Sequence, residues 1–372
     1  THSAGYNTNR ITIRGMGSRS PYSTNKIKAY LNNIPLSNGV GETSIEDFGI
    51  DILDQVEINK GPNSSIYGSG LGGNIILKTS KNLNKNIKVK SIYKSFNTYQ
   101  NSISLSKTFN RLSLLFNFEK IKSDGYRDNN SYENNRIFTS INYEISDNYT
   151  LDFIHFSNSA DALIPSSLSF ENFINNPSSA AFSWRNVKGG EDYSRSVSGL
   201  TFNSKKDKYS SNTTMFIKTF YNNENRPFNY LIEDSKTFGI RHFGKSVLIP
   251  FDLSYALEYS FQQYFFDTWD DFGSVNQSLL SRQSQERNNY NFFLQLDRSF
   301  KNSFFTFGIG SNKIIYNWVN EIESTTLSYN TKTILSPRIS YNHTLNNSSI
   351  FANISHGFSS PNIDETLDEN GI

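Results

Sequence analysis

From about residue 86 onward, apolar and polar side chains take turns along the chain. Leu112, Leu114, Phe116 and Phe118 share one face of an extended segment, and Ser113, Asn117 and Glu119 share the other. The same period of two recurs at Ile137/Thr139/Ile141/Tyr143/Ile145 against Ser140/Asn142/Glu144, at Tyr255/Leu257/Tyr259/Phe261 against Ser254/Glu258/Ser260/Gln262, and at Ile350/Ala352/Ile354 against Asn353/Ser355. A repeat of 180° per residue is the signature of a β-strand with two unlike faces. Leu151–Phe156 and Met215–Tyr221 are apolar on both faces. The pattern predicts about 13 strands, over 87–96, 99–109, 111–121, 135–146, 149–157, 194–204, 210–221, 236–243, 250–263, 288–300, 303–313, 334–345 and 348–357.

The connections between them follow a second pattern. Turns at 110, 147–148, 205–209, 244–249, 301–302 and 346–347 are short, while 122–134, 158–193, 222–235, 264–287 and 314–333 are long, with 97–98 the short member of the long class. A soluble β-sandwich also alternates, but it does not put every long loop at one end. Outer-membrane barrels do, with short periplasmic turns and long outer loops. Many of these strands approach the length that crosses a bilayer at a tilt. Glu119, Glu144 and Glu258 all fall on the polar faces, as the cost of charge in lipid requires.

Composition narrows the chemistry. Of 372 residues, 36% are hydrophobic and 15% aromatic, too aromatic for disorder. The chain has no cysteine, so disulfides, thiolate metal sites and cysteine nucleophiles are excluded. Five scattered histidines offer little for a metal site, and a net charge of +2 points to no nucleic-acid partner. No run of 18 apolar residues exists to form a membrane helix. No hydrolase motif such as G-x-S-x-G occurs, so no enzyme and no cofactor is expected. Asp267, Asp270 and Asp271, and Asp364, Glu365, Asp368 and Glu369, are loop acids of a kind that bind Ca²⁺, though solvated acids are the commoner case. The chain opens at Thr1 and closes at Gly371-Ile372 behind an acidic run, so it reads as a portion of a longer protein.

Residues 1–81 differ in texture. They are Gly-rich, with short β-type runs at Arg10–Arg14, Lys26–Leu31, Gln55–Asn59 and Asn74–Thr79. Gly68-Ser-Gly-Leu-Gly-Gly73 superficially suggests a phosphate loop, but β-prone Asn74–Thr79 follows where a helix would be needed. Glycines here fit positive φ and close packing instead. Three stretches resemble the TonB-dependent outer-membrane receptors: Ile11-Thr-Ile-Arg-Gly15, Tyr30-Leu-Asn-Asn-Ile-Pro-Leu36 and, most specifically, Val56–Thr79 with its Lys60-Gly-Pro62 and Tyr67-Gly-Ser-Gly-Leu-Gly-Gly73. Leu335–Ser340 and His356–Pro361 resemble weaker barrel signatures of the family.

The resemblance implies an all-β membrane barrel, part of a 22-stranded antiparallel transmembrane β-barrel. At its N-terminus it implies the C-terminal half of a small mixed α/β plug domain. Residues 1–81 would be that partial plug and 82–372 the first part of the barrel. Asn32-Asn33 stands where the family commonly has Asp-Gly, a departure in that turn. By position, the plug apices that meet a ligand would be Tyr6 and Asn7, then Arg19, Ser20 and Tyr22, then Asn38 and Glu42. Phe358, Ser359 and Ser360 would open a loop above them. Tyr and Arg suit a bulky, polar, often anionic chelate. Arg14 and Lys60 would face barrel acids and hold the plug, with Glu119, Glu144 and Glu258 as candidate partners. The implied protein sits in the outer membrane of a Gram-negative bacterium. It imports a ferric siderophore or other iron complex, with cobalamin, another chelate or an oligosaccharide as the alternative cargo. Its partners would be the TonB complex, through an N-terminal box outside this chain, outer-membrane lipid, and a surface lipoprotein in some cases. A passive porin or adhesin is the remoter reading, since a pore needs no plug.

Overall fold

A computed structural model describes residues 11–18, 24–38, 43, 45–61, 67–80, 86–270 and 278–360. Two sheets account for nearly all of it. The smaller has four strands in the order β2-β1-β4-β3: β1 (Ile27–Leu31), β2 (Ile34–Pro35), β3 (Leu53–Lys60) and β4 (Gly73–Thr79). β1 runs parallel to β4, and the other pairings are antiparallel. Asn32 takes a positive φ of 53° in the β1–β2 turn and ties its side chain to Thr79, so an asparagine does there what a glycine commonly does. Among the described residues 11–14 of the expected run at 10–14, no strand forms. Ile13 and Met16 close a tight turn in which Arg14 and Gly15 both have positive φ.

The larger sheet begins at Asn86 and runs in sequence order as one antiparallel meander. Its strands are β5 (Asn86–Lys94), β6 (Thr98–Phe109), β7 (Leu112–Ser123), β8 (Tyr132–Ser146), β9 (Tyr149–Leu163), β10 (Gly190–Lys206), β11 (Tyr209–Asn225), β12 (Tyr230–Leu248), β13 (Phe251–Trp269), β14 (Leu279–Phe300), β15 (Ser303–Asn320), β17 (Ile334–Thr344) and β18 (Ser349–Ser355). β16 (Thr325–Asn330) pairs only with the far end of β15. β5 and β18 have one neighbour each among the described residues, so this wall is open at both edges. Each expected strand is present, but most run longer at the long-loop end. The expected loop 222–235 shrinks to 226–229, because Asn222–Asn225 and Tyr230–Ser235 continue the ladder.

The reason lies in the outward face. Ile137, Ile141 and Ile145 on β8, Leu200 and Phe202 on β10, Met215 and Ile217 on β11, and Phe292, Leu294 and Leu296 on β14 point away from the lumen. The eight steps from Ile137 to Ile145 span about 26 Å along the strand. That matches an apolar band of about 25 Å. Toward the short turns the band ends in aromatic side chains, including Tyr149 stacked on Phe202 and Phe305 tilted against Tyr341. Toward the long loops the strands pass beyond it, and acids reach the outward face at Glu133, Asp161 and Asp192. No helix among the described residues is long and apolar enough to cross a membrane.

The two sheets share one core. Ile27, Leu31, Ile34, Leu36, Phe48, Ile75 and Leu77 of the small sheet region pack with Phe138, Ile154, Phe156, Val197 and Phe216 of the wall. Phe48 and Phe156 lie 4.4 Å apart between ring centroids. Wall Gly199 lacks a Cβ where one would stand 2.4 Å from Ile34 Cδ1, so this glycine makes room for the plug.

Candidate functional site at the seam between plug and wall

The small sheet is held inside the wall by polar contacts set into that apolar seam. Asp47 is fully buried and bonds Arg195 of β10 at 2.6 Å. The same carboxylate accepts from Tyr193 Oη at 2.6 Å and Asn158 Nδ2 at 2.8 Å. Arg195 also lies over Phe220, 5.0 Å from the ring centroid. A second acid, Asp51, bonds Lys90 of β5 at 2.9 Å. Lys218 of β11 donates to the Ser37 carbonyl at 2.6 Å, and Asn33 reaches Asn212 at 3.1 Å. Lower on the wall, Arg241 bonds Glu258 at 2.9 Å and faces Tyr30 and Tyr67 of the plug at 4.6 and 5.3 Å. Each of these wall residues lies on the inward parity of its strand, which is why the sequence can carry charge there.

Among the described residues, ion pairs across the seam join Asp47 to Arg195 and Asp51 to Lys90. Plug acids meet wall cations. Arg14 and Lys60 are exposed, and neither forms an ion pair among the described residues. Glu119 is bonded by wall Arg136 at 2.8 Å, and Glu258 by wall Arg241, so both candidate partners are already engaged within the wall. Glu144 is exposed near the short-turn end of β8. Sequence reasoning passed over Asp47 because it sits in a short acidic stretch, Glu46-Asp47, that looks solvated. The available signal was Phe48 beside it and the inward parity of Arg195 and Arg241.

Of the expected ligand contacts, Tyr6, Asn7, Arg19, Ser20, Tyr22 and Glu42 lie outside the described residues. Asn38 lines the seam beside Arg195, Lys218 and Phe220. Phe358, Ser359 and Ser360 leave β18 and run against the plug. The Phe358 carbonyl accepts from Gly70 N at 3.0 Å, and the Ser360 carbonyl from Asn25 Nδ2 at 3.1 Å. Among the loop acids, Asp267 is ion-paired with Arg282 at 2.9 Å, and no group of metal-ligating side chains is assembled among the described residues. Asp271, Asp364, Glu365, Asp368 and Glu369 lie outside them. A cavity of about 490 Å³ opens between plug and wall toward the short-turn end, lined by Asn32, Asn33, Asp152, Asn203 and Arg241 among others.

On the long-loop side, loop 164–189 carries two short helices, α1 (Phe170–Asn175) and α2 (Phe182–Asn186). Ser169 Oγ caps α1 by accepting from Asn172 N at 3.2 Å. Arg127 fixes the loop by donating to the carbonyls of Ser166, Ser179 and Pro165 at 2.7, 2.9 and 3.3 Å.

Residues 1–74 match the TonB-dependent receptor plug domain. The fold is similar to that of the unliganded ferric citrate transporter FecA, with a TM-score of 0.81 and 13% identity over 96% of this chain and 57% of that one. It is similar to the ferric yersiniabactin uptake receptor FyuA from Yersinia pestis, with a TM-score of 0.78 and 11% identity over 95% and 59%. It is also similar to the copper transporter OprC, with a TM-score of 0.76 and 12% identity over 95% and 57%. The chain thus spans less than three-fifths of the length of each of these structures. Residues 1–74 thus match the plug domain of TonB-dependent receptors, and nearly the whole chain shares the fold of these transporters.

Proposed function

We propose that the whole protein is an outer-membrane importer that binds an extracellular iron complex, a ferric siderophore first among them, and admits it by energy-coupled movement of the plug. The observation that carries this reading is a plug bound into a barrel-type wall by a small set of separable polar contacts around Asp47 and Arg195. A passive pore has no use for such a stopper. Two of the similar structures are named for ferric chelates and one for copper, which supports a metal complex as cargo. In this reading Tyr6, Asn7, Arg19, Ser20, Tyr22, Asn38 and Glu42 meet the cargo from the plug, and Phe358, Ser359 and Ser360 meet it from the wall. Arg14 and Lys60 contact wall strands beyond those in this chain. Cargo binding shifts the plug's conformational population, and the TonB complex supplies the work.

The test is uptake by cells that lack their own receptors and express the full-length gene. A labelled panel of ferric siderophores, haem, cobalamin and oligosaccharides is followed with and without a protonophore, beside Arg19→Ala. Protonophore-sensitive uptake of one iron complex, weakened in the variant, is the expected result. Protonophore-insensitive passage of many small solutes would replace this reading with a porin.

A further inference from the structure

Beyond the apolar band, the lumen faces of β10, β11 and β12 bring three carboxylates together. Glu191 and Glu224 stand directly opposite each other, and Glu233 stands opposite Asn222 on the next strand pair. At this height the outward face carries Glu133, Asp161 and Asp192 in one cross-strand row, so this part of the wall stands clear of hydrocarbon. Arg226 pairs with Glu224. Glu233 accepts from Tyr264 Oη on one oxygen and from Asn222 Nδ2, at 2.9 Å, on the other. Glu191 forms no ion pair among the described residues.

Two buried amides point to something that belongs here. Asn222 is 4% exposed, and its Oδ1 has no hydrogen-bond partner among the described residues. Gln285 is 2% exposed and stands opposite Tyr264, and neither its Oε1 nor its Nε2 has one. A native protein rarely leaves buried polar atoms bare unless a ligand or water completes them.

We infer that Glu191, Asn222 and Glu233 form a seat for the primary ammonium group of a ligand entering the lumen. An ammonium has three donors and no acceptor. The register sets three acceptors on neighbouring lumen-facing positions: the Glu191 carboxylate, Asn222 Oδ1 and a Glu233 oxygen. Two carboxylates supply charge-assisted bonds and the net negative field. A bare divalent ion fits less well, since Ca²⁺ takes six to eight oxygens and no such group is assembled among the described residues. The inference rests on the import reading and adds that the favoured cargo is a chelate carrying a free amine.

The seat is coupled to pH. Burial, followed by the charges of Glu224, Asp47 and Glu233, pushes the Glu191 carboxyl up to about 8, with Arg195 pulling the other way. Arg226 stands beside Glu224, and β9 presents the uncharged Ala160 and Ala162 at this height. Below that value the empty seat holds a proton on Glu191, which an incoming ammonium must displace. Affinity for the amine therefore rises with pH, by about tenfold between 6.5 and 8.

The experiment uses the full-length receptor purified in detergent, with binding read from tryptophan fluorescence. The probes are a ferric trihydroxamate bearing one free primary amine and the same chelate N-acetylated. The expected result at pH 8 is at least about tenfold tighter binding of the amine form. Glu191→Gln and Glu233→Gln each bring that preference below about threefold, with the acetylated form unchanged, and Glu191→Gln also flattens the pH dependence. Both changes conserve shape, and the mobility shift between boiled and unboiled samples confirms folding. Equal binding of the two forms, binding of neither, an unchanged preference in the variants, or a Glu191-dependent response to Ca²⁺ alone would each overturn the inference. A receptor that fails here yet imports a panel member in a protonophore-sensitive way leaves the import reading intact.

Discussion

Asp47→Ala tests the lock between plug and wall. The wild-type carboxylate is fully buried and satisfies three partners, Arg195, Tyr193 and Asn158. Its removal strands a guanidinium that is only 12% exposed and takes the best acceptor from two buried neutral donors, of which Asn158 Nδ2 keeps Tyr193 Oη at 3.3 Å. Breaking a buried ion pair from one side costs about 3–5 kcal/mol, and each bared neutral donor about 1–3 kcal/mol. These terms overlap, because a void left by the carboxylate admits water that serves all three donors. Arg195 also keeps its contact with Phe220. The lower end, about 3 kcal/mol, is therefore the expected loss in plug docking, or about a hundredfold in the population of the undocked plug. Hydrogen exchange of the β1 and β4 amides in the full-length receptor reads that population, provided exchange passes through undocking. Arg195→Met should cost a comparable amount. The double variant should cost clearly less than the sum, because removing both charges leaves no unpaired ion. Exchange changed by less than about threefold in Asp47→Ala, or strict additivity in the double variant, would refute the claim that this pair anchors the plug.

Other outcomes follow from the same geometry. Gly199→Val drives a side chain into the space of Ile34 Cδ1 and should weaken docking by about 1–3 kcal/mol, with partial rescue by Ile34→Val, both read by the same exchange assay. Ile217→Arg on the outward face should cost about 2–4 kcal/mol in refolding titrations into lipid vesicles, whereas Asn223→Arg, outward but beyond the band, should cost close to nothing. Arg127→Ala removes three bonds to loop carbonyls and should open loop 164–189 to limited proteolysis while leaving the wall resistant.

Strand existence was legible because lipid and lumen impose unlike faces on each strand, so Ile137, Ile141 and Ile145 against Ser140, Asn142 and Glu144 declare themselves without help from distant residues. Strand length was not. Beyond the apolar band the outward face of β11 no longer needs apolar residues, and a polar run such as Asn222–Asn225 reads as a loop until its partner strand is placed beside it. The helices α1 and α2 were missed for a related reason. Each is under two turns, and α1 rests on one Ser169 cap rather than on an amphipathic repeat. The site was less legible than the fold. Whether Asp47 is a solvated acid or a buried anchor depends on where β9 and β10 stand, 111 and 148 residues further along at Asn158 and Arg195. Strand parity can put Arg195 and Arg241 on the lumen face, but it cannot say which plug residue each one meets.

The composition of the seam bears on how a plug can seal and still move. Apolar contacts such as Phe48 on Phe156 are lost in proportion to the area uncovered, and they resist any opening. Polar contacts behave differently. The Asp47–Arg195 pair is strong only while it is dry, and the first water molecules to enter the seam supply replacement partners to both ions. The seam therefore holds firmly when closed and loses much of its grip once a small displacement wets it. Under the proposed import mechanism, work delivered to the plug need not break every contact at once. It needs only to open the seam far enough for water to reach Asp47, after which the remaining polar contacts, Lys218 to Ser37 and Asn33 to Asn212, exchange for hydration at little cost.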